Sequence, residues 1–145
     1  MLPLTLHQDN RAQLAEMLSG ERWVIACLCA AWCDSCREYQ ATFEALAQRH
    51  LDKCFVWIDI EDQADLVGEL DVENFPTLLM QRAGLVAFFG SVQPELRVAD
   101  RLIAAQAEKT PDELRREAGA SAERQRWQAD CDLRRRLQET PGAGL

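Results

Sequence analysis

Long apolar runs are missing from this chain. The longest, Val24 to Cys33, falls well short of the roughly 18 residues that cross a bilayer. Glycine and proline are scarce, seven and five in 145 residues, which excludes collagen-like and low-complexity chains, and no internal repeat is visible. Basic charge is short: 16 Lys and Arg against 24 Asp and Glu leave a net −8, the wrong sign for neutralising phosphates of nucleic acid. The first ten residues, MLPLTLHQDN, lack a basic segment, a long apolar segment and a small-residue cleavage site, so no secretory signal and a cytoplasmic location are expected. Histidine is nearly absent. His7 and His50 fall at the ends of expected elements with no ligating neighbour at useful spacing, and neither is given a catalytic role.

What the chain does have is apolar content and cysteine. At 48% apolar, it is long enough for one compact α/β domain. Residues 1–106 carry eight basic and sixteen acidic side chains and so hold the whole negative charge, whereas residues 107–145 carry eight of each. Six cysteines in a chain without a signal do not suggest a structural disulfide framework. They point instead to buried apolar filler, metal ligands or redox chemistry.

Hydrophobic periodicity gives the order of elements. Leu4 to His7 reads as an edge strand, and a helix capped by Asp9 or Asn10 runs to Gly20 with Leu14, Met17 and Leu18 on one face. Arg22 to Ala31 is a strand apolar on both faces. A helix from Asp34 to His50 follows, then a strand from Cys54 to Ile60 and a short acidic helix from Asp62 to Leu70. Phe75 to Gln81 and Leu85 to Phe89 form a hairpin around Ala83-Gly84, and Ser91 to Ala107 a further helix. This is a mixed central sheet flanked by helices, residues 1–106, with a helical extension, residues 107–145, packed on it. In the extension, Thr110-Pro111-Asp112-Glu113 is a capping box opening a helix to Ala118, and Ser121 to Gln138 is a second helix.

The chemistry concentrates in Trp32-Cys33-Asp34-Ser35-Cys36, where a buried strand meets a helix. A helix N-terminus offers unpaired N–H groups and the positive end of its dipole, both of which stabilise a thiolate at Cys33. Cys36, one helical turn on, is near enough for a disulfide. One accessible low-pKa thiol with a second thiol beside it is what thiol–disulfide exchange requires.

With AAWCDSCRE, the loop Asn74-Phe75-Pro76-Thr77 and Gly90, in this order of elements, the sequence resembles the thioredoxin family over about three-quarters of its length. The resemblance implies a thioredoxin-like fold and a redox-active disulfide between Cys33 and Cys36. Cys33 would attack protein disulfides and Cys36 would resolve the mixed disulfide. Pro76 would be a cis proline facing them, with Trp32, Phe75 and Thr77 completing the docking surface. It implies no organic cofactor and no metal, electrons from a partner reductase, and a role in cell redox homeostasis.

The chain departs from that pattern in ways that modulate the site. Asp34 and Ser35 stand where the family usually has Gly-Pro. The Asp34 carboxylate competes with a Cys33 thiolate for the helix end, an effect partly offset by Arg37. Cys27 and Trp57 replace the family's usual buried acid and its facing lysine, so proton removal from Cys36 loses its usual base, and Cys27 is expected beneath the pair as a buried neutral thiol. The alternative is a thioredoxin-like binding or assembly module with little turnover, using the docking groove and the C-terminal helices. A metal cage of Cys27, Cys29, Cys33 and Cys36 would be strained, because strand and helix supply different directions; a cluster shared between subunits through Cys33 and Cys36 is its variant. Cys29 and Cys54 read as buried filler and Cys131 as an exposed or half-packed thiol. Trp32 would shield the active cysteines, with Trp23 and Trp57 in the core. The seven acids between Asp59 and Glu73 read as a solvated face that can steer basic partners.

Overall fold

The computed structural model describes residues 3–70 and 72–140. Five strands, β1 (Leu4–Thr5), β2 (Trp23–Cys29), β3 (Cys54–Asp59), β4 (Thr77–Arg82) and β5 (Leu85–Ser91), form one sheet in the order β1-β3-β2-β4-β5. The first three run parallel, β4 alone runs against them, and β5 pairs antiparallel with β4 and so returns to their direction. Around the sheet lie α1 (Arg11–Ser19), α2 (Asp34–Arg49), α3 (Ala64–Val67), α4 (Leu96–Ala107), α5 (Pro111–Ala118), α6 (Ala122–Asp130) and α7 (Leu133–Glu139).

β2 is central and covered on both faces, which is why its sequence is continuously apolar. Strand alternation sorts its residues. Val24, Ala26 and Leu28 join Leu14, Leu18, Val56 and Ile58 on one face. Trp23, Ile25, Cys27 and Cys29 join Cys36, Tyr39, Phe43 and Ile103 on the other. Three cysteines therefore acquire definite directions, and Cys36 of α2 faces the same side of the sheet as Cys27 and Cys29.

The C-terminal helices wrap the β5 edge and reach both faces. Leu114 of α5 packs with the α2 side, while Cys131, Leu133 and Leu137 pack with the α1 side. Gln128 of α6 accepts from the Val86 N–H at 2.9 Å and donates to the Val86 carbonyl at 2.7 Å, occupying backbone groups that an edge strand otherwise presents to other chains. Gln81, fully buried, donates to the Ala83 carbonyl and to Asp132 Oδ1 and accepts from the Leu133 N–H. It fastens the hairpin turn, in which Ala83 takes a left-handed φ of 53°, to the start of α7.

Several expected features differ. The single helix over Ser121 to Gln138 is two, because Asp132 caps a new helix by accepting from the Arg134 and Arg135 N–H groups. α4 starts at Leu96 rather than Ser91: Ser91 still pairs with Thr77, and Val92 N–H donates to the Pro76 carbonyl. Cys131 is buried rather than exposed, and burial pushes its thiol up to about 12. The acidic stretch is not simply a solvated face. Asp65 pairs with the buried Arg11 at 2.6 Å, Glu61 accepts from the Trp32 indole, and Asp59 accepts from the backbone of Glu61 and Asp62; Asp71 lies outside the described residues.

Candidate active site

The strand-to-helix junction after β2 positions the site. β2 ends at Cys29, and Cys33 becomes the N-cap of α2 in an extended conformation. Its N–H donates to the Ala30 carbonyl at 3.1 Å, closing a tight turn over the sheet end. The Cys33 sulfur is half-exposed and lies 3.0 Å from Ser35 Oγ. The Ser35 hydroxyl, followed by the Cys36 backbone N–H, holds the Cys33 thiol below the ordinary value, with Arg37 adding a smaller charge effect. These groups favour the thiolate, the form that attacks disulfides.

Asp34, the first residue of α2, has a cation of its own. Its carboxylate pairs with Arg37, three residues on, and Arg37 also donates to the Ala31 carbonyl at 2.8 Å. The two charges offset each other beside the sulfur, and Ser35 becomes the residue that matters most to it. Trp32 is 64% exposed. Its indole donates to Glu61, and its ring stands edge-on to Phe75 at 5.8 Å. The Phe75–Pro76 peptide bond is cis. Thr77 is buried at the start of β4, its hydroxyl donating to the Asn74 carbonyl at 2.6 Å. Trp32, Phe75 and the Asn74–Thr77 loop thus lie together beside the junction. A cleft of about 480 Å³ runs from Asn74 and Thr77 past Gly90 to Trp127 and Asp130 of α6, so the C-terminal extension supplies its far wall.

The cysteine pairing departs from the expected Cys33–Cys36 bond. Cys36 is bonded to Cys29, with Cα atoms 5.7 Å apart, and Cys33 is free. The physical reason is direction: the Cys36 side chain points inward, 1% exposed, onto the sheet face where β2 presents Cys29. The Ala30 N–H lies 3.4 Å from the Cys36 sulfur. Cys29 is therefore no inert filler, and sequence reasoning passed over it. The signal was available, since alternation puts Cys27 and Cys29 on one face, but whether that face is the one α2 covers depends on tertiary packing.

Cys27 is completely buried, and desolvation raises its thiol well above the ordinary value. Its sulfur contacts Cys29 Sγ at 3.8 Å. Across the parallel ladder Cys27 pairs with Trp57 and Cys29 with Asp59. Trp57 packs edge-on against Phe43 and, with Cys36, Arg37 and Asp59, lines a cavity of about 340 Å³ behind the junction. Asp59 is thus the carboxylate nearest in register to the buried sulfurs, a role the sequence did not single out. Cys54 is buried in the opposite core, away from this group.

A family model described as Thioredoxin matches residues 5–102. Thioredoxin of Mycoplasmoides gallisepticum is 30% identical over 81 residues, covering 56% of this chain and 81% of that protein. Thioredoxin-2 of Saccharomyces cerevisiae is 26% identical over 68 residues, 47% of this chain and 65% of that protein. Among solved structures, a mutant thioredoxin from Halobacterium salinarum superposes with a TM-score of 0.64 at 24% identity, covering 76% of this chain and 95% of the other. A thioredoxin from Nicotiana alata gives 0.61 at 23% identity, covering 70% and 90%. The matched segment holds β2 to β5, the end of β1 and the Cys33 junction, and ends inside α4, before the C-terminal extension. This chain belongs to the thioredoxin family, whose general chemistry is thiol–disulfide exchange.

Proposed function

We propose that the protein is a thiol–disulfide oxidoreductase acting on protein disulfides, with Cys33 as nucleophile, Cys36 as the resolving thiol and the Trp32, Phe75, Pro76, Thr77 surface as docking site. The observation that carries this reading is the Cys33 sulfur itself: half-exposed at the start of α2, held towards its thiolate by Ser35 and the Cys36 N–H, and flanked by Trp32. The Cys33 thiolate attacks one sulfur of the substrate disulfide, and the other leaves as a thiolate. The Cys36 thiolate then attacks Cys33 Sγ, releasing the second substrate thiol and leaving both electrons with the substrate. A reductase partner is consistent with a structural relative whose description is a complex of ferredoxin: thioredoxin reductase with thioredoxin f2.

The test is reduction of insulin disulfides by the full chain with dithiothreitol as electron source. The expected result is turnover that vanishes in Cys33→Ser. Turnover equal in wild type and Cys33→Ser would overturn the reading. A second reading, a binding module with little turnover, draws on the cleft walled by α6, which adds a surface beyond the matched segment. Stable capture of a protein partner by wild type, lost on substitution of Trp127 and unaccompanied by insulin reduction, would favour it.

A further inference from the structure

The active-site region holds three sulfurs more than its attacking thiol: Cys36, Cys29 and Cys27. Cys36 is the point where two pairs meet. Three residues along the chain stands Cys33, at the surface; across the core stands Cys29, bonded to it in this structure. Cys27 then contacts Cys29 at 3.8 Å. Two residues of one strand lie about 6.6 Å apart at Cα, near the upper limit for a disulfide, so the exchange chain ends at Cys29 and Cys27 serves as its hydrogen-bonding neighbour.

We propose that Cys29 is a third redox thiol, and that the protein transfers its active-site disulfide inward, from Cys33–Cys36 to Cys29–Cys36, leaving Cys33 free while the protein is oxidised. The proposal rests on the exchange chemistry assigned above to Cys33 and Cys36 and adds one step. After Cys36 has resolved the mixed disulfide, the Cys29 thiolate attacks Cys36 Sγ. The Cys29–Cys36 bond forms, the Cys33–Cys36 bond breaks, and Cys33 leaves as a thiolate. No external oxidant or reductant is consumed, since one disulfide and one thiol become another disulfide and another thiol; the proton lost by Cys29 is accounted for by protonation at Cys33 or by solvent.

Several features favour the inward direction. Cys33 is the better leaving group, because Ser35 and the Cys36 N–H stabilise its thiolate. Cys29, buried without exposure, is better accommodated as a neutral disulfide sulfur than as a charged thiolate. With Cys29 bonded, the Cys27 S–H is the donor in their contact and keeps a partner. The cavity lined by Cys36, Arg37 and Asp59 reaches the Cys36 side of this pair.

The functional consequence is specific. A two-cysteine exchanger has no free active-site thiol once oxidised. This protein would keep Cys33 nucleophilic in both redox states, so its oxidised form can still form a mixed disulfide with a protein partner or be capped by a small thiol. Its oxidising equivalent meanwhile lies in a bond that solvent does not reach.

The test oxidises the 145-residue chain with diamide, blocks free thiols with iodoacetamide after denaturation in acid and return to neutral pH with guanidinium, then reduces and labels with N-ethylmaleimide. Fragmentation of the tryptic peptide Trp23–Arg37, which holds Cys27, Cys29, Cys33 and Cys36, assigns each label. The expected result is loss of about two thiols per chain, with N-ethylmaleimide on Cys29 and Cys36 and carbamidomethyl on Cys33. Cys33→Ser should still form this intramolecular disulfide, and Cys29→Ala should shift the oxidised pair to Cys33–Cys36. N-ethylmaleimide on Cys33 and Cys36 of wild type, with Cys29 carbamidomethylated, would overturn the proposal, as would a folded Cys33→Ser protein that loses no thiols on oxidation. Insulin reduction in parallel keeps the two ideas apart: Cys33-dependent turnover with a Cys33–Cys36 pair sinks the relay and leaves the exchange activity standing.

Discussion

Gln81→Leu is the substitution that most directly tests how the C-terminal extension is held. Gln81 is fully buried and makes three hydrogen bonds: to the Ala83 carbonyl at 2.9 Å, to Asp132 Oδ1 at 2.6 Å and from the Leu133 N–H at 2.9 Å. Leucine keeps the approximate volume and removes all three. Leu133 is buried, so its N–H is left without a partner at a cost of about 1–3 kcal/mol. The other two bonds lie nearer solvent and are each worth about 1 kcal/mol, while Asp132 retains its bonds from Arg134 and Arg135 N–H. The three contributions add to about 3–5 kcal/mol, which at a urea slope of about 2 kcal/mol per molar moves the midpoint down by roughly 1.5–2.5 M. The assay is urea unfolding followed by tryptophan fluorescence, with thiols kept reduced. Asp132→Ala should cost less in the Gln81→Leu background than in wild type, because one bond it removes is already gone. A midpoint unchanged within about 0.3 M, or strictly additive variants, would refute the view that this side chain locks α7 to the sheet.

Other outcomes follow from the same structure. Leu137→Ala, removing a buried side chain of α7, should cost about 2–4 kcal/mol by urea unfolding, a loss that an extension free of the domain would not show. Ser35→Ala should move the pH midpoint of iodoacetamide reaction at Cys33 upward, since the Ser35 hydroxyl is the largest influence holding that thiol down. The Arg11 hydrogen bond and charge lower the Asp65 carboxyl in the folded state, so its stabilisation is complete above the unfolded value near pH 4 and is lost as pH falls through the lower folded value. Asp65→Asn should therefore cost up to about 1 kcal/mol at neutral pH, since solvent screens the half-exposed carboxylate, and reduce the acid dependence of the urea midpoint below about pH 4.

The amino-acid pattern alone determined the layered α/β architecture. Apolar runs and their periods are local quantities: Trp23–Cys29 reads as a doubly covered strand, and Thr110 to Glu113 as a helix start, because each carries its signal within a few residues. Cys33 was legible for the same reason, as a thiol at a strand-to-helix junction. What the sequence left open was every relation across the core. The partner of Cys36 depends on which face of β2 the first turn of α2 covers, and that is set by the packing of Tyr39 and Phe43 against the sheet. The burial of Cys131 depends on α7 folding back over α1 and β4, through Gln81 and Asp132, some fifty residues apart. A helix of seven residues such as α7 is marginal alone, and tertiary burial of Leu133 and Leu137 decides its place. Spacing along the chain therefore identified the thiol exposed at the start of α2, while the packing of one helix on one strand face decided which sulfur lies behind it.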